Sequence, residues 1–218
     1  MREGKYSVIS FQSSDTSCGV AVNSKCFEPI ARADARVLIL GSLPGKMSLE
    51  RNEYYAQPYN AFWRIMGELV GASRDLPYPE RLRVLRQHHV AVWEVCAAGF
   101  RAGSLDSAIE LSTVRVNNFA AFLRAHPDIK LICFNGRKAE EIYRRKARQV
   151  PRVVFQRVRY ASLPSTSAAH AGMPFAQKLA LWRKALSGTP TLLPVGIAGT
   201  ASLSAEMETQ SFAVGSRP

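Results

Sequence analysis

Acidic residues are scarce in this 218-residue chain: 17 Asp and Glu stand against 29 Lys and Arg, a formal net charge of +12. That imbalance excludes an acidic, solvating polypeptide and favours a polyanionic partner, because every phosphate that a cation neutralises releases counterions to solution. A basic surface kept for solubility is the competing reading. Long apolar runs are missing too. No stretch approaches the roughly 18 to 20 uncharged apolar residues that a bilayer span requires, so a transmembrane protein is excluded. The opening MREGKYSVISFQSSD lacks an apolar block of about 7 to 15 residues and does not read as a secretory signal. An intracellular, cytoplasmic location follows by default, nucleoid-associated if the source is bacterial. Cysteine is sparse: Cys18, Cys26, Cys96 and Cys133 are scattered, with no Cys-x-x-Cys pair and no His at metal spacing. That argues against zinc, an iron–sulfur cluster and a disulfide framework, so no metal and no cofactor are expected. Cys96 and Cys133 lie in apolar runs and are expected in the core.

What is present is ordinary globular material, 47% hydrophobic, which rules out a fully disordered chain. Residues 1–33 and 187–218 are rich in Ser, Thr and Gly without a sustained period, and both read as flexible extensions. Residues 34–186 hold 24 Lys and Arg against 12 Asp and Glu, so the charge surplus belongs to the folded part. Within it, apolar runs at 36–40 (RVLIL), 90–95 (VAVWEV), 129–134 (IKLICF) and 153–158 read as buried strands. Between them, residues 60–70, 79–87, 105–110, 117–125, 137–148 and 174–186 read as helices. Strands alternating with helical crossovers give an α/β fold: a three-layer αβα sandwich with a central, mostly parallel four-stranded sheet. In such sheets a ligand sits at the carboxyl ends of the strands, which directs attention to the loops after Leu40, Val95 and Val158.

The first of these loops spans residues 41–63. Its Gly41-x-x-x-Gly45-Lys46 differs from a P-loop, which needs four residues between the glycines and Ser or Thr after the lysine; here Met47 follows. What remains is a long loop dense in aromatic residues, a pattern more often functional than disordered. The last loop, YASLPSTSAAHAGMP at 160–174, offers Ser162, Ser165, Thr166 and Ser167 as phosphate contacts or helix caps, with Pro164 stiffening the turn. A plain serine-rich turn is the alternative.

Taken together, GSLPG at 41–45, YYAxPxNxFW at 54–63 and LPSTSxAHA at 163–171 resemble the first and second signature motifs of the uracil-DNA glycosylase superfamily. The nearest likeness is to its hypoxanthine-DNA glycosylase (DNA-deoxyinosine glycosylase) branch, which VWEVCAAGFRAGSLDSAI at 92–109 and FNG at 134–136 also resemble. The likeness covers roughly residues 34–186 and stops short of both tails. It departs from the fast uracil-excising members at two places: Leu43 stands in the segment where they carry a water-positioning Asp, and Leu163 stands where they carry a His before Pro-Ser. It also lacks the Asn that mismatch-specific relatives carry inside the first turn.

The resemblance implies a DNA N-glycosylase that acts on DNA containing deaminated bases, hypoxanthine first, as a monomer without a membrane partner. A uracil- or mismatch-directed enzyme and a catalytically inactive DNA-binding homologue are the alternatives. Asn60 is implied as the catalytic residue, against the alternative of a helix cap. Base contacts are implied for Gly41, Ser42, Leu43, Tyr55, Glu94 and His170. DNA contacts are implied for Pro44, Gly45 and Lys46 and for Pro164, Ser165, Thr166 and Ser167. Phe62 competes with Tyr55 for stacking on the base, although its helical spacing favours the core. Glu94 could accept from a purine N1–H or serve a local capping or arginine-pairing need.

Overall fold

Three apolar pentads set the architecture. Val37–Gly41 (β2), Val90–Glu94 (β3) and Leu131–Asn135 (β6) are buried at every position, as strands covered on both faces must be. The computed structural model describes residues 22–147 and 158–188. Its other elements are strands Val22–Lys25 (β1), Cys96–Arg101 (β4), Arg115–Val116 (β5) and Arg159–Leu163 (β7), and helices Lys46–Arg51 (α1), Phe62–Val70 (α2), Tyr78–Gln87 (α3), Phe119–Ala125 (α4), Arg137–Lys146 (α5) and Phe175–Leu186 (α6).

The central sheet runs β3-β2-β6-β7 with every neighbour parallel. Alternation along each strand divides the core in two. Leu38, Leu40, Ala91, Trp93, Ile132 and Phe134 face α4 and α5, where Phe119, Phe122, Ile142 and Tyr143 cover them. Val37, Ile39, Val90, Val92, Leu131 and Cys133 face the opposite way, against Trp63, Ile65 and Met66 of α2, Leu85 of α3 and Trp182 of α6. This is the expected three-layer sandwich. Cys96 and Cys133 are buried, and burial pushes both thiols up to about 12, as befits core residues. A second, antiparallel sheet in the order β1-β4-β5 leaves the end of β3 through Val95.

Several elements differ from the sequence reading. The fourth strand of the central sheet is Arg159–Leu163, not 153–158; residues 153–157 lie outside the described residues and Val158 only precedes the strand. β7 is only partly covered, with Arg159 and Ser162 exposed, and its mixed RYASL carries no continuous apolar signal. The domain also begins earlier than residue 34: β1 pairs with β4, and buried Ile30 bridges to Val92. The helix expected at 105–110 is a single 3-10 turn, Asp106–Ala108. The loop at 41–63 contains α1, and the Cys-Ala-Ala-Gly-Phe-Arg stretch, poor in β-branched residues, is nevertheless strand β4.

Candidate active site

The parallel register brings four strand ends level: Gly41 lies opposite Glu94 and Asn135 opposite Leu163. Above them opens a cavity of about 560 Å³, within the range of small-ligand sites. Gly41, Ser42, Leu43, Tyr55, Asn60 and Glu94 all line it, so residues separated by 53 positions in sequence meet in one place. Pro44, Gly45 and Lys46 from the first turn and Ser165, Thr166 and Ser167 from the loop after β7 form its rim. His170 is not among these residues. It lines an adjoining groove of similar volume that shares Asn60, Thr166 and Ser167 with the cavity.

The floor is tightly packed. A side chain at position 41 would place its Cβ 3.0 Å from the Tyr55 hydroxyl and 3.6 Å from Cγ of Glu94, so only glycine fits between them. Tyr55 takes a left-handed backbone (φ 54°), uncommon for a bulky residue, and stacks on Phe62 at 3.9 Å between ring centroids. Phe62 itself is fully buried and belongs to the core. Burial raises the Tyr55 hydroxyl above its ordinary range, so it stays protonated.

Glu94 is the buried carboxyl of the cavity. Burial holds its carboxyl well above the usual carboxylate range, with the backbone N–H of Phe27 and the Arg101 guanidinium only partly offsetting that cost. Its Oε2 is buried without a hydrogen-bond partner, and so is Oε1 of Gln57, another lining residue. Unsatisfied acceptors in a cavity call for a donor on the ligand.

Asn60 combines the two roles considered for it. The cap position of α2 is Ala61, but the Phe62 N–H donates to Asn60 Oδ1 at 3.0 Å, which fixes the plane of the carboxamide at the cavity wall. The loop carrying it is braced twice: Arg74 donates to the carbonyls of Tyr55, Gln57 and Asn60, and the Ala61 N–H donates to the Thr166 carbonyl at 2.8 Å.

Thr166 cannot serve as a phosphate contact. It is fully buried, its Oγ1 accepts from Asn135 Nδ2 at 2.8 Å, and its N–H donates to Asn135 Oδ1 at 2.9 Å. Ser165 and Ser167 remain half-exposed on the rim. The Pro164 carbonyl is taken by the Trp182 indole N–H at 3.1 Å, so this residue is part of the scaffold beneath the rim. Lys46 is exposed, with a loose ion pair to Glu50 at 3.8 Å.

Four cavity residues escaped the sequence reading. Asn135 locks the β6 end to the β7 loop through the pair of bonds to Thr166. Arg101, buried at the end of β4, donates to the carbonyls of Leu43 and Pro44 and to Asp106 Oδ1. Asp106 in turn accepts from the Ser42 hydroxyl at 2.7 Å. Gln57 is the fourth. The FNG and GSLD strings were the available signals for Asn135 and Asp106; nothing local marks Arg101 or Gln57. The Gly41 and Ser42 carbonyls accept from Val95 and Cys96, so four successive carbonyls of the first turn are engaged.

Comparison with known proteins agrees with this geometry. Residues 29–186 match the profile of the uracil DNA glycosylase superfamily. A hypoxanthine DNA glycosylase of Methanosarcina acetivorans is 39% identical over 116 residues, 53% of this chain and 72% of that protein. One of Methanosarcina barkeri is 36% identical over the same shares. The solution NMR structure of a candidate uracil DNA glycosylase from Methanosarcina acetivorans superposes with a TM-score of 0.61 at 32% identity, covering 75% of this chain and 98% of that one. With the αβα sandwich, the site at its strand ends and the matching motifs all in agreement, this chain belongs to the uracil DNA glycosylase superfamily.

Proposed function

We infer that the chain is a DNA glycosylase that hydrolyses the N-glycosidic bond of deaminated bases, hypoxanthine foremost. The observation that carries this reading is the unpartnered Glu94 Oε2 on the cavity floor, at the strand end opposite Gly41. Deamination turns the adenine N1 acceptor into the N1–H donor of hypoxanthine. The Glu94 carboxyl has an oxygen lone pair with which to accept that N1–H, and a donor on the base would satisfy the buried unpartnered atom. The names of the Methanosarcina relatives point the same way.

The chemistry follows from the lining. The target nucleotide leaves the stack and enters the cavity, where its base lies against Tyr55. The Asn60 carboxamide, oriented by its bond to the Phe62 N–H, accepts from the attacking water with its remaining lone pair and aims it at C1′. As the C1′–N bond breaks, its electron pair goes to the base, the sugar passes through an oxocarbenium-like state, and the water oxygen bonds to C1′. The water proton leaves with the departing base or solvent. With its carbonyls tied down, the Gly41–Gly45 turn presents its amide side to the charge that builds on the base, as in an oxyanion hole. Ser165, Ser167 and Lys46 hold the flanking phosphates. The enzyme works as a cytoplasmic monomer in this reading.

The test incubates the full chain with oligonucleotides carrying deoxyinosine or deoxyuridine, followed by alkaline cleavage at abasic sites. Excision of deoxyinosine ahead of deoxyuridine is expected. Preference for deoxyuridine would reassign the substrate, and no cleavage of either would leave a DNA-binding homologue without catalysis.

A further inference from the structure

Hydrolysis must also dispose of a proton. The water that bonds to C1′ sheds one of its two, and the Asn60 carboxamide can accept a hydrogen bond from that water but cannot take its proton. Leu43 offers no acceptor. A carboxylate outside those steps nevertheless stands on the same cavity: Asp106 lines it together with Ser42 and Asn60.

Asp106 arrives from the 3-10 turn after β4, and Ser42 directly follows Gly41 at the end of β2. The fold joins them across 64 positions of sequence: the buried Ser42 hydroxyl donates to Asp106 Oδ1 at 2.7 Å. Arg101 Nη1 lies 3.3 Å from the same oxygen, and its guanidinium is anchored in turn on the Leu43 and Pro44 carbonyls. The carboxylate is thereby held against the first turn. A hydroxyl has one proton and two lone pairs, so with its proton directed at Asp106 the Ser42 oxygen is left as an acceptor. The Asp106 side chain is 38% exposed whereas that of Arg101 is 3% exposed, so a path from hydroxyl to carboxylate starts inside the cavity and ends at solvent.

Resting on the glycosylase reading, we propose that Ser42 and Asp106 carry away the proton of the attacking water. As the C1′–N electron pair leaves with the base and the water oxygen bonds to C1′, a water O–H bond breaks toward Ser42 Oγ. The Ser42 O–H bond breaks toward Asp106 Oδ1, and Asp106 ends as the neutral acid. It then returns the proton to solvent across its exposed side, which restores both residues and consumes no other reactant. Asn60 keeps its part by accepting from the second O–H of the water.

The charged and titratable groups around Asp106 allow its role to be read from pH. Glu94 at the end of β3, Tyr55 in the loop after α1 and Cys96 at the start of β4 share its surroundings with Arg101. Burial raises all three, so none of them gains a charge as pH falls. At the rim, Glu50 pairs loosely with Lys46. Glu50→Gln is therefore the control for a second carboxylate.

The experiment measures single-turnover excision of deoxyinosine by the full chain, Asp106→Asn, Ser42→Ala, the double variant and Glu50→Gln from about pH 4 to about pH 8. The unaltered chain and Glu50→Gln are expected to lose rate toward acid. Asp106→Asn is expected to drop the neutral rate about 10²-fold and to lose that acid limb. Ser42→Ala should behave alike, and the double variant should fall no further, because one path is broken only once. An amide oxygen still accepts from the Ser42 hydroxyl, so the thermal midpoint of Asp106→Asn should stay near that of the unaltered chain. An acid limb that survives in Asp106→Asn, a neutral rate within about threefold of the unaltered chain, or losses that multiply in the double variant overturn the proposal and leave Ser42 and Asp106 as a brace of the first turn. So does an acid limb that disappears in Glu50→Gln. Failure of the underlying reading is distinct, since the unaltered chain would then excise deoxyinosine at no pH.

Discussion

Glu94 and Asn60 show how a single residue's surroundings set its chemistry. Glu94 ends a strand buried along its whole length, so its carboxyl is held protonated past the range of an unfolded carboxyl. A raised native pKa stabilises the fold fully below the unfolded value, and that stabilisation is lost as pH rises toward the native one. Glu94→Gln removes the ionisable group, so its thermal midpoint should exceed that of the unaltered chain at about pH 9 and converge with it only below the unfolded value, toward about pH 3, where the carboxyl is neutral in both states. Melting curves across that interval check the sign; a constant gap would place the Glu94 carboxyl in ordinary solvent contact. Asn60→Ala should lower single-turnover excision of deoxyinosine by about 10²- to 10³-fold, the loss typical of one positioned polar group at a reacting centre. Because the bond to the Phe62 N–H also goes, the start of α2 loses about 1 kcal/mol as well. Asn60→Asp keeps that bond and separates the two effects: its melting curve should stay near that of the unaltered chain.

At the scale of elements, the site depends on how strand ends are tied together. Gly41→Ala would drive a methyl to 3.0 Å from the Tyr55 hydroxyl, which cannot retreat because its ring is stacked on buried Phe62. Excision should drop sharply while the far-UV circular dichroism spectrum stays unchanged, since β2 keeps its pairing. Asn135→Ala removes both bonds that join β6 to the β7 loop and leaves the Thr166 N–H buried and unpaired. A loss of about 2 to 4 kcal/mol in urea unfolding is expected, from one missing bond and one unsatisfied donor. The same elements show where sequence reading succeeds. β2, β3 and β6 were legible because parallel strands covered on both faces are apolar at every position. β7 was displaced by several residues because its RYASL buries only Leu163 and leaves Arg159 and Ser162 exposed. β4 was missed because Ala-Ala-Gly is accepted there for close packing, with Gly99 3.4 Å from Val114 at the position of a Cβ. Asn60, Tyr55 and Glu94, which line the cavity, sit within recognisable strings. Thr166 was misassigned because a hydroxyl in a serine-rich loop looks the same whether it faces solvent or Asn135.

For the whole molecule, the charge surplus acts over the surface rather than at one contact. Much of the basic charge on α5 is paired locally, Lys138 and Arg145 with Glu141 and Arg144 with Glu140. Arg74, Arg101 and Lys178 are spent on backbone carbonyls. The net +12 still leaves a strongly positive field, so affinity for undamaged duplex should fall at least about tenfold between 50 and 200 mM salt, measured by fluorescence anisotropy. A flat salt response would assign the surplus to solubility. The sequence by itself determined the class of fold, the strands with two covered faces, the polyanion-seeking charge and the motif residues, because each of these is written in local composition, period or spacing. Only the tertiary structure decided that Arg101, Asp106, Asn135 and Gln57 line the cavity, that Thr166 is tied to Asn135, and that His170 lies in the adjoining groove. Those assignments depend on parallel strands ending at one level, a register set by packing across the sheet rather than by any neighbour along the chain.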